Sequence, residues 1–132
     1  MTTEKNLWLR VKKNLPDDCY ATRIENRIAS GVPDVHIIWN GLAFWLELKI
    51  TKANKIKLSS NQIAWNTKHS LKKGLSYILV QRVGEGSLFL FRGEDARQLA
   101  IDGLTMEPII KVWDSGIFSG RFGIRGSSTW NQ

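Results

Sequence analysis

Asp34, Glu47 and Lys49 stand inside one of the most apolar stretches of this chain, GVPDVHIIWNGLAFWLELK at positions 31–49. Charged side chains are seldom buried without a partner, so their presence needs a reason. Asn40-Gly41 lies between two hydrophobic runs, the strongest short signal for a two-residue hairpin, because both central positions of a type I′ turn require positive φ. With that turn Trp39 faces Leu42, and counting back along both strands puts Asp34 directly opposite Glu47. Facing Cβ atoms lie roughly 4.5–5.5 Å apart. Lys49 follows two residues after Glu47 on the same face, whereas Phe44, Leu46, Leu48 and Ile50 share the other.

Two opposed carboxylates repel and destabilise a sheet. Three arrangements offset this. The acids can share a proton, with one pKa raised. They can form a salt bridge with Lys49. Or they can hold a divalent cation: hard oxygen ligands suit Mg²⁺ or Mn²⁺, which take one or two carboxylates and keep water elsewhere. Two acids, a metal and a lysine together imply phosphodiester hydrolysis. The cation polarises a phosphoryl oxygen and lowers the pKa of a bound water, and an ammonium stabilises developing negative charge or orients the nucleophile.

The elements that must position these groups are readable in outline. Residues 4–14 form a weakly amphipathic helix that Thr2 or Thr3 caps and Pro16-Asp17-Asp18 ends. Strands are expected over 19–26, 33–39 and 42–50. The clearest helix spans 59–73, with Ser59 as N-cap, Gln62 at capping-box spacing, and Leu58 and Ile63 placed for a hydrophobic staple; Gly74 ends it. Strands over 77–83 and 88–92 flank a turn at 84–87, residues 93–104 read as a third helix, and a further strand is expected around 109–113. This order suggests an α/β or α+β domain with a mixed sheet.

The net charge of +7 favours a polyanionic partner, nucleic acid first. The apolar runs fall far short of the ~18 residues of a membrane span, and the N-terminus has no apolar signal-peptide core. Cys19 is the only cysteine, which excludes an internal disulfide and a thiolate metal cluster. The expectation is an intracellular, cytoplasmic protein with no membrane partner.

Pro33-Asp34 followed by Glu47-Leu48-Lys49 resembles the PD-(D/E)xK nuclease signature. Gly31-Val32 before it and Gln62 in the following helix make the pattern similar to the VRR-NUC branch and to phage Holliday-junction-resolvase-like nucleases, which makes a phage or prophage origin plausible. The resemblance implies a restriction-endonuclease-like core, helix–three strands–helix–strand, within one nuclease domain over 1–132. The core would cover about 4–104, with 105–132 as a C-terminal extension. It implies a metal-dependent DNA endonuclease selective for branched DNA; a nonspecific nickase, a flap- or end-processing nuclease, and an inactive nucleic-acid-binding accessory protein are the alternatives. Asp34, Glu47 and the Leu48 carbonyl would hold Mg²⁺ or Mn²⁺, Lys49 would be the catalytic lysine, and Gln62 would point toward the site. Glu4 or Glu25 would supply a further acid, although Arg23 and Glu25 share a strand face and a plain ion pair is the alternative.

Arg23 is a candidate phosphate contact. Lys52, Lys55 and Lys57 leave the active-site edge directly and are placed to grip phosphates, and Lys68 and Lys72 extend the charge along the helix; such contacts give affinity and register, not sequence. His36 is expected to pack against Trp45, and His69 to face solvent. Phe118, Arg121, Phe122 and Arg125 interleave aromatics with arginine, as a nucleic-acid contact, a dimer arm or a simply packed tail. Trp113 and Trp130 are candidates for a homodimer interface.

Overall fold

The computed structural model describes residues 3–24 and 31–112. Helix α1 (Glu4–Asn14) starts behind Thr3, whose hydroxyl accepts the Asn6 N–H at 3.1 Å. Leu7 and Val11, one turn apart, are its buried residues. Strand β1 (Cys19–Arg23) leads across residues 25–30 to β2 (Val35–Trp39), and Asn40-Gly41 turns the chain into β3 (Leu42–Thr51). Both turn residues have positive φ, 52° and 78°, as a type I′ hairpin requires. Helix α2 (Ser60–Leu71) crosses to β4 (Ser76–Arg82), which is followed by β5 (Leu88–Arg92), α3 (Ala96–Asp102) and β6 (Ile110–Val112).

The strands make a six-stranded sheet in sequence order. Neighbours are antiparallel except β3 and β4, which run parallel. A parallel pair needs a crossover, and α2 provides it. One face of the sheet packs Val35, Ile37, Phe44, Leu46, Leu48, Leu79 and Leu90 against Leu7 and Val11 of α1. The other packs Ile78, Val80, Phe89 and Phe91 against Ile56, Ala96 and Leu99, with Ile63 of α2 at its margin. The helix–three strands–helix–strand order expected from the sequence is therefore the order observed, in a mixed sheet. Among the described residues no helix is long and apolar enough to cross a membrane.

Three boundaries differ from expectation. β2 begins at Val35, not at 33, because Pro33 has no N–H for a ladder. β1 ends at Arg23, and the expected continuation to residue 26, with Glu25, reaches outside the described residues. The expected helix over 93–104 is a shorter α3 between 3₁₀ turns at Gly93–Asp95 and Gly103–Thr105. Both glycines are crowded: a Cβ on Gly93 would strike Ser76 Oγ, and one on Gly103 would strike the Asn54 carbonyl.

Candidate active site

The β2–β3 register is Val35 opposite Leu46 and His36 opposite Trp45, so the sequence pairing of Asp34 with Glu47 lies one step past the ladder's end. There the edge of β3 that faces β2 is open. The Asp34 side chain fills it: Oδ2 accepts the Leu48 N–H at 2.8 Å, while the Asp34 carbonyl accepts the Ile24 N–H at 2.7 Å. In a strand the N–H and C=O of a residue point to the same side, so the Leu48 carbonyl also faces this opening. Gly31 fixes the approach to Asp34. It has φ 88°, and a Cβ there would meet the Asn61 carbonyl in the first turn of α2.

Glu47 is 2% exposed. Its Oε2 accepts Gln62 Nε2 at 3.1 Å and lies 3.7 Å from Lys49 Nζ. Lys49 Nζ in turn donates to Gln62 Oε1 at 3.1 Å. The same Oε1 accepts the Ser59 N–H at 2.9 Å, and Ser59 Oγ accepts the Gln62 N–H at 3.1 Å. One glutamine thus closes the capping box of α2 and bridges Glu47 to Lys49. Behind it, Asn66 Nδ2 donates to the Gln62 carbonyl at 2.8 Å and its Oδ1 accepts Ser76 Oγ at 2.7 Å, tying this turn of α2 to β4.

Burial, followed by the charge of Asp34, pushes the Glu47 pKa up to about 9, and Lys49 offsets this only in part. Glu47 Oε1 is buried without a hydrogen-bond donor among the described residues. A proton on Glu47 supplies one, bonding it to Asp34. Without a cation Glu47 is therefore held neutral at pH 7, and its contact with Lys49 is not a full ion pair. Glu4, at the start of α1, belongs to the same electrostatic cluster. The residue is exposed, but burial of its carboxyl raises its pKa; Lys49 and Arg23 act to lower it and Asp34 to raise it.

Two facing carboxylates, one oxygen of them buried without a donor, and a carbonyl turned to the same opening are a donor set of the hard-oxygen kind that Mg²⁺ or Mn²⁺ takes. Among the described residues no cluster of three or more His, Cys, Asp or Glu residues is arranged to hold a metal ion. The fit is therefore that of an ion with few protein ligands and several waters.

Lys49, Lys55, Lys57, Ser59 and Gln62 line an open cleft of about 470 Å³, with Ala100 also on its wall. Lys52 is exposed and is not among its lining residues. Lys68 and Lys72 are exposed farther along α2, about 9 and 15 Å beyond Gln62 at 1.5 Å per residue. Arg23 turns toward α1, with its guanidinium carbon 5.7 Å from the Trp8 ring centroid and its Nη1 buried without a hydrogen-bond partner among the described residues.

His36 packs on Trp45 as expected, ring centroids 4.7 Å apart. His69 is half-buried rather than fully solvent-facing, stacked on Trp65 at 4.5 Å and 16°. Burial lowers its pKa, opposed by a hydrogen bond to the Leu75 backbone and reinforced by His36. The sequence reading did not single out Asn66 or Trp65. Their spacing gave the available signal, since Asn66 and His69 stand four residues after Gln62 and Trp65 respectively, the separation of neighbours on a helix surface. Trp113, Phe118, Arg121, Phe122, Arg125 and Trp130 lie outside the described residues.

A mixed sheet with this element order, flanked by helices on both faces, is a restriction-endonuclease-like fold. The structure of Hjc, a Holliday junction resolvase from the archaeal hyperthermophile Archaeoglobus fulgidus, is similar to it: TM-score 0.50 and 17% sequence identity, over 67% of this chain and 72% of that one. No family model matches the chain, and no curated protein matches it.

Proposed function

We propose that this chain is a metal-dependent DNA endonuclease of the PD-(D/E)xK type that hydrolyses phosphodiester bonds in branched DNA. The observation that carries this reading is the pair of facing acids, Asp34 and Glu47, with Lys49 held beside them by Gln62 at the mouth of a lysine-lined cleft. A structural ion cluster needs no such cleft, and a binding surface needs no opposed carboxylates. The branched substrate is suggested by the fold's similarity to a Holliday junction resolvase. A junction is cut on two strands, so a homodimer belongs to the same reading. The VRR-NUC or phage-type branch is part of it too, on the motif around Gly31–Asp34 and Gln62.

In this reading Asp34, Glu47 and the Leu48 carbonyl hold Mg²⁺ or Mn²⁺, which supplies charge stabilisation at the phosphoryl oxygen and a water of lowered pKa. The protein's own groups do the rest. The Leu48 N–H orients Asp34. Gln62 fixes the Lys49 ammonium on the side where negative charge develops, and Lys55 and Lys57 seat flanking phosphates. Among the described residues, Glu4 is the further acid that interacts electrostatically with Asp34, Glu47 and Lys49; Glu25 lies outside them.

The test is cleavage of linear duplex, single strand, flap and four-way junction DNA with Mg²⁺, with Mn²⁺ and with chelator. Metal-dependent cutting that prefers the junction and is lost in both Asp34→Ala and Lys49→Ala is the expected result. Tight binding with no cutting under either metal would make the chain an accessory protein instead.

A further inference from the structure

We infer that the ring series His36, Trp45, Trp65 and His69 is a stacking site for an unpaired DNA base adjacent to the cut, an inference that rests on the nuclease reading above. The rings form a continuous row, with successive centroids 4.7, 5.5 and 4.5 Å apart. All four residues are half-buried. The row starts at the acids: His36 follows Asp34 by two residues and Trp45 precedes Glu47 by two, on the same sheet face.

Packing of α2 on β3 accounts for the contact between Trp65 and Trp45. It does not account for the surface beyond. In register with His36 and Trp45 comes Thr22, and in the next row Tyr20, Ile38 and Ala43 face one another across β1, β2 and β3. Tyr20 is 68% and Ile38 40% exposed. Among the described residues this face is apolar and aromatic, and β1, β2 and α2 contain no acidic residue. On α2, Trp65, Lys68 and His69 follow at helical spacing and Lys72 is the helix's C-cap, so two lysines lie toward the same end of the helix as the rings. Aromatic rings edged by cations, with Asp34 and Glu47 at one end of the row, fit a polyanion that carries flat bases.

Geometry narrows the ligand to an unstacked base. An aromatic side chain stacks on a base only where a face of that base is free, and inside a duplex both faces are covered by neighbouring pairs. Bulges, flaps and junction centres offer such a base, and fully paired DNA does not.

The experiment uses the full chain in chelator, so that nothing is cut. It compares a duplex carrying one unpaired 2-aminopurine with the same duplex fully paired. The bulged duplex is expected to bind about tenfold more tightly, within the range that one base–aromatic stack contributes, with its 2-aminopurine emission quenched. Trp45→Leu should bring the two affinities within threefold without weakening the paired duplex, and Trp45→Phe should keep the preference. His36→Ala, read by the same criterion, serves if Trp45→Leu does not fold. Equal binding of both duplexes by the wild type, or an undiminished preference in the folded Trp45→Leu or His36→Ala variant, overturns the inference. Self-association abolished by Tyr20→Ser and Ile38→Ser would assign the face to a second copy and overturn it too. Cleavage is scored separately. Cutting without the preference defeats this inference alone, whereas the preference without metal-dependent cutting defeats only the nuclease reading.

Discussion

Replacing Glu47 with glutamine should stabilise the metal-free protein at pH 8 while removing its activity. The Glu47 pKa is raised from 4.5 to about 9. Between those values the folded chain binds more protons than the unfolded chain, so stability falls as pH rises. The stabilisation is fully present below pH 4.5 and is lost progressively toward pH 9. One proton gives a slope of at most about 1.4 kcal/mol per pH unit, so the loss between pH 5.5 and 8 is at most about 3.5 kcal/mol. At roughly 4 °C per kcal/mol for a chain of this size, that is a melting shift on the order of 10 °C. The substituted glutamine side chain would imitate the protonated acid: its carbonyl accepts Gln62 Nε2 and its amide donates to Asp34. His69 titrates in the opposite sense, since its lowered pKa adds stability as pH rises toward 6.5, but both proteins carry it and the difference cancels. Thermal melts in chelator at pH 5.5, 7 and 8 should show Glu47→Gln matching wild type at the low end and exceeding it at the high end. Mg²⁺ at pH 8 should recover stability for wild type alone, because the ion binds the ionised pair. Parallel pH profiles for the two proteins would refute the shared proton and, with it, the account of how the opposed acids coexist.

Ser59→Ala removes the N-cap hydroxyl of α2 and should cost about 1 kcal/mol while leaving kcat within a few-fold. Gln62→Ala loses the other half of the capping box and also frees Lys49, so for similar instability it should cut kcat about a hundredfold; denaturant melts beside single-turnover cleavage separate the two, and equal kcat losses would contradict the bridging role. Gly31→Ala forces an unfavourable φ and pushes against the Asn61 carbonyl, so it should destabilise by about 1–3 kcal/mol and weaken Mn²⁺ binding by displacing Asp34, as calorimetric titration would show.

Local signals were legible where backbone chemistry is local. Asn40-Gly41 fixed the hairpin register, which placed Asp34 opposite Glu47, and Ser59 with Gln62 marked the start of α2. Legibility failed where a distant contact decides. The turn before α3 leaves no room for a Cβ at Gly93 beside Ser76, and the turn after it is tied by the Leu104 N–H to the Asn54 carbonyl, with no room for a Cβ at Gly103. Neither neighbour is close in sequence, so the segment over 93–104 read as one helix. His69 lies among lysines and was expected in solvent; a stack on Trp65 and a bond to the Leu75 backbone hold it instead. Spacing offered Gln62 a capping role and the resemblance a place near the site, two roles able to coexist; neither could show that one carbonyl oxygen meets both the Ser59 N–H and Lys49.

Asp34, Glu47, Lys49 and Gln62 all fall between residues 34 and 62, on one hairpin and the helix that follows it. Bringing them together closes only short loops, so the polar cluster forms from contacts of low sequence separation, the kind that assemble early in folding. β5, α3 and β6 contribute support without supplying any of these four groups. Their sequences can vary as long as they keep apolar volume and pattern, so the four groups of the site and the layers that support them are set by different parts of the chain.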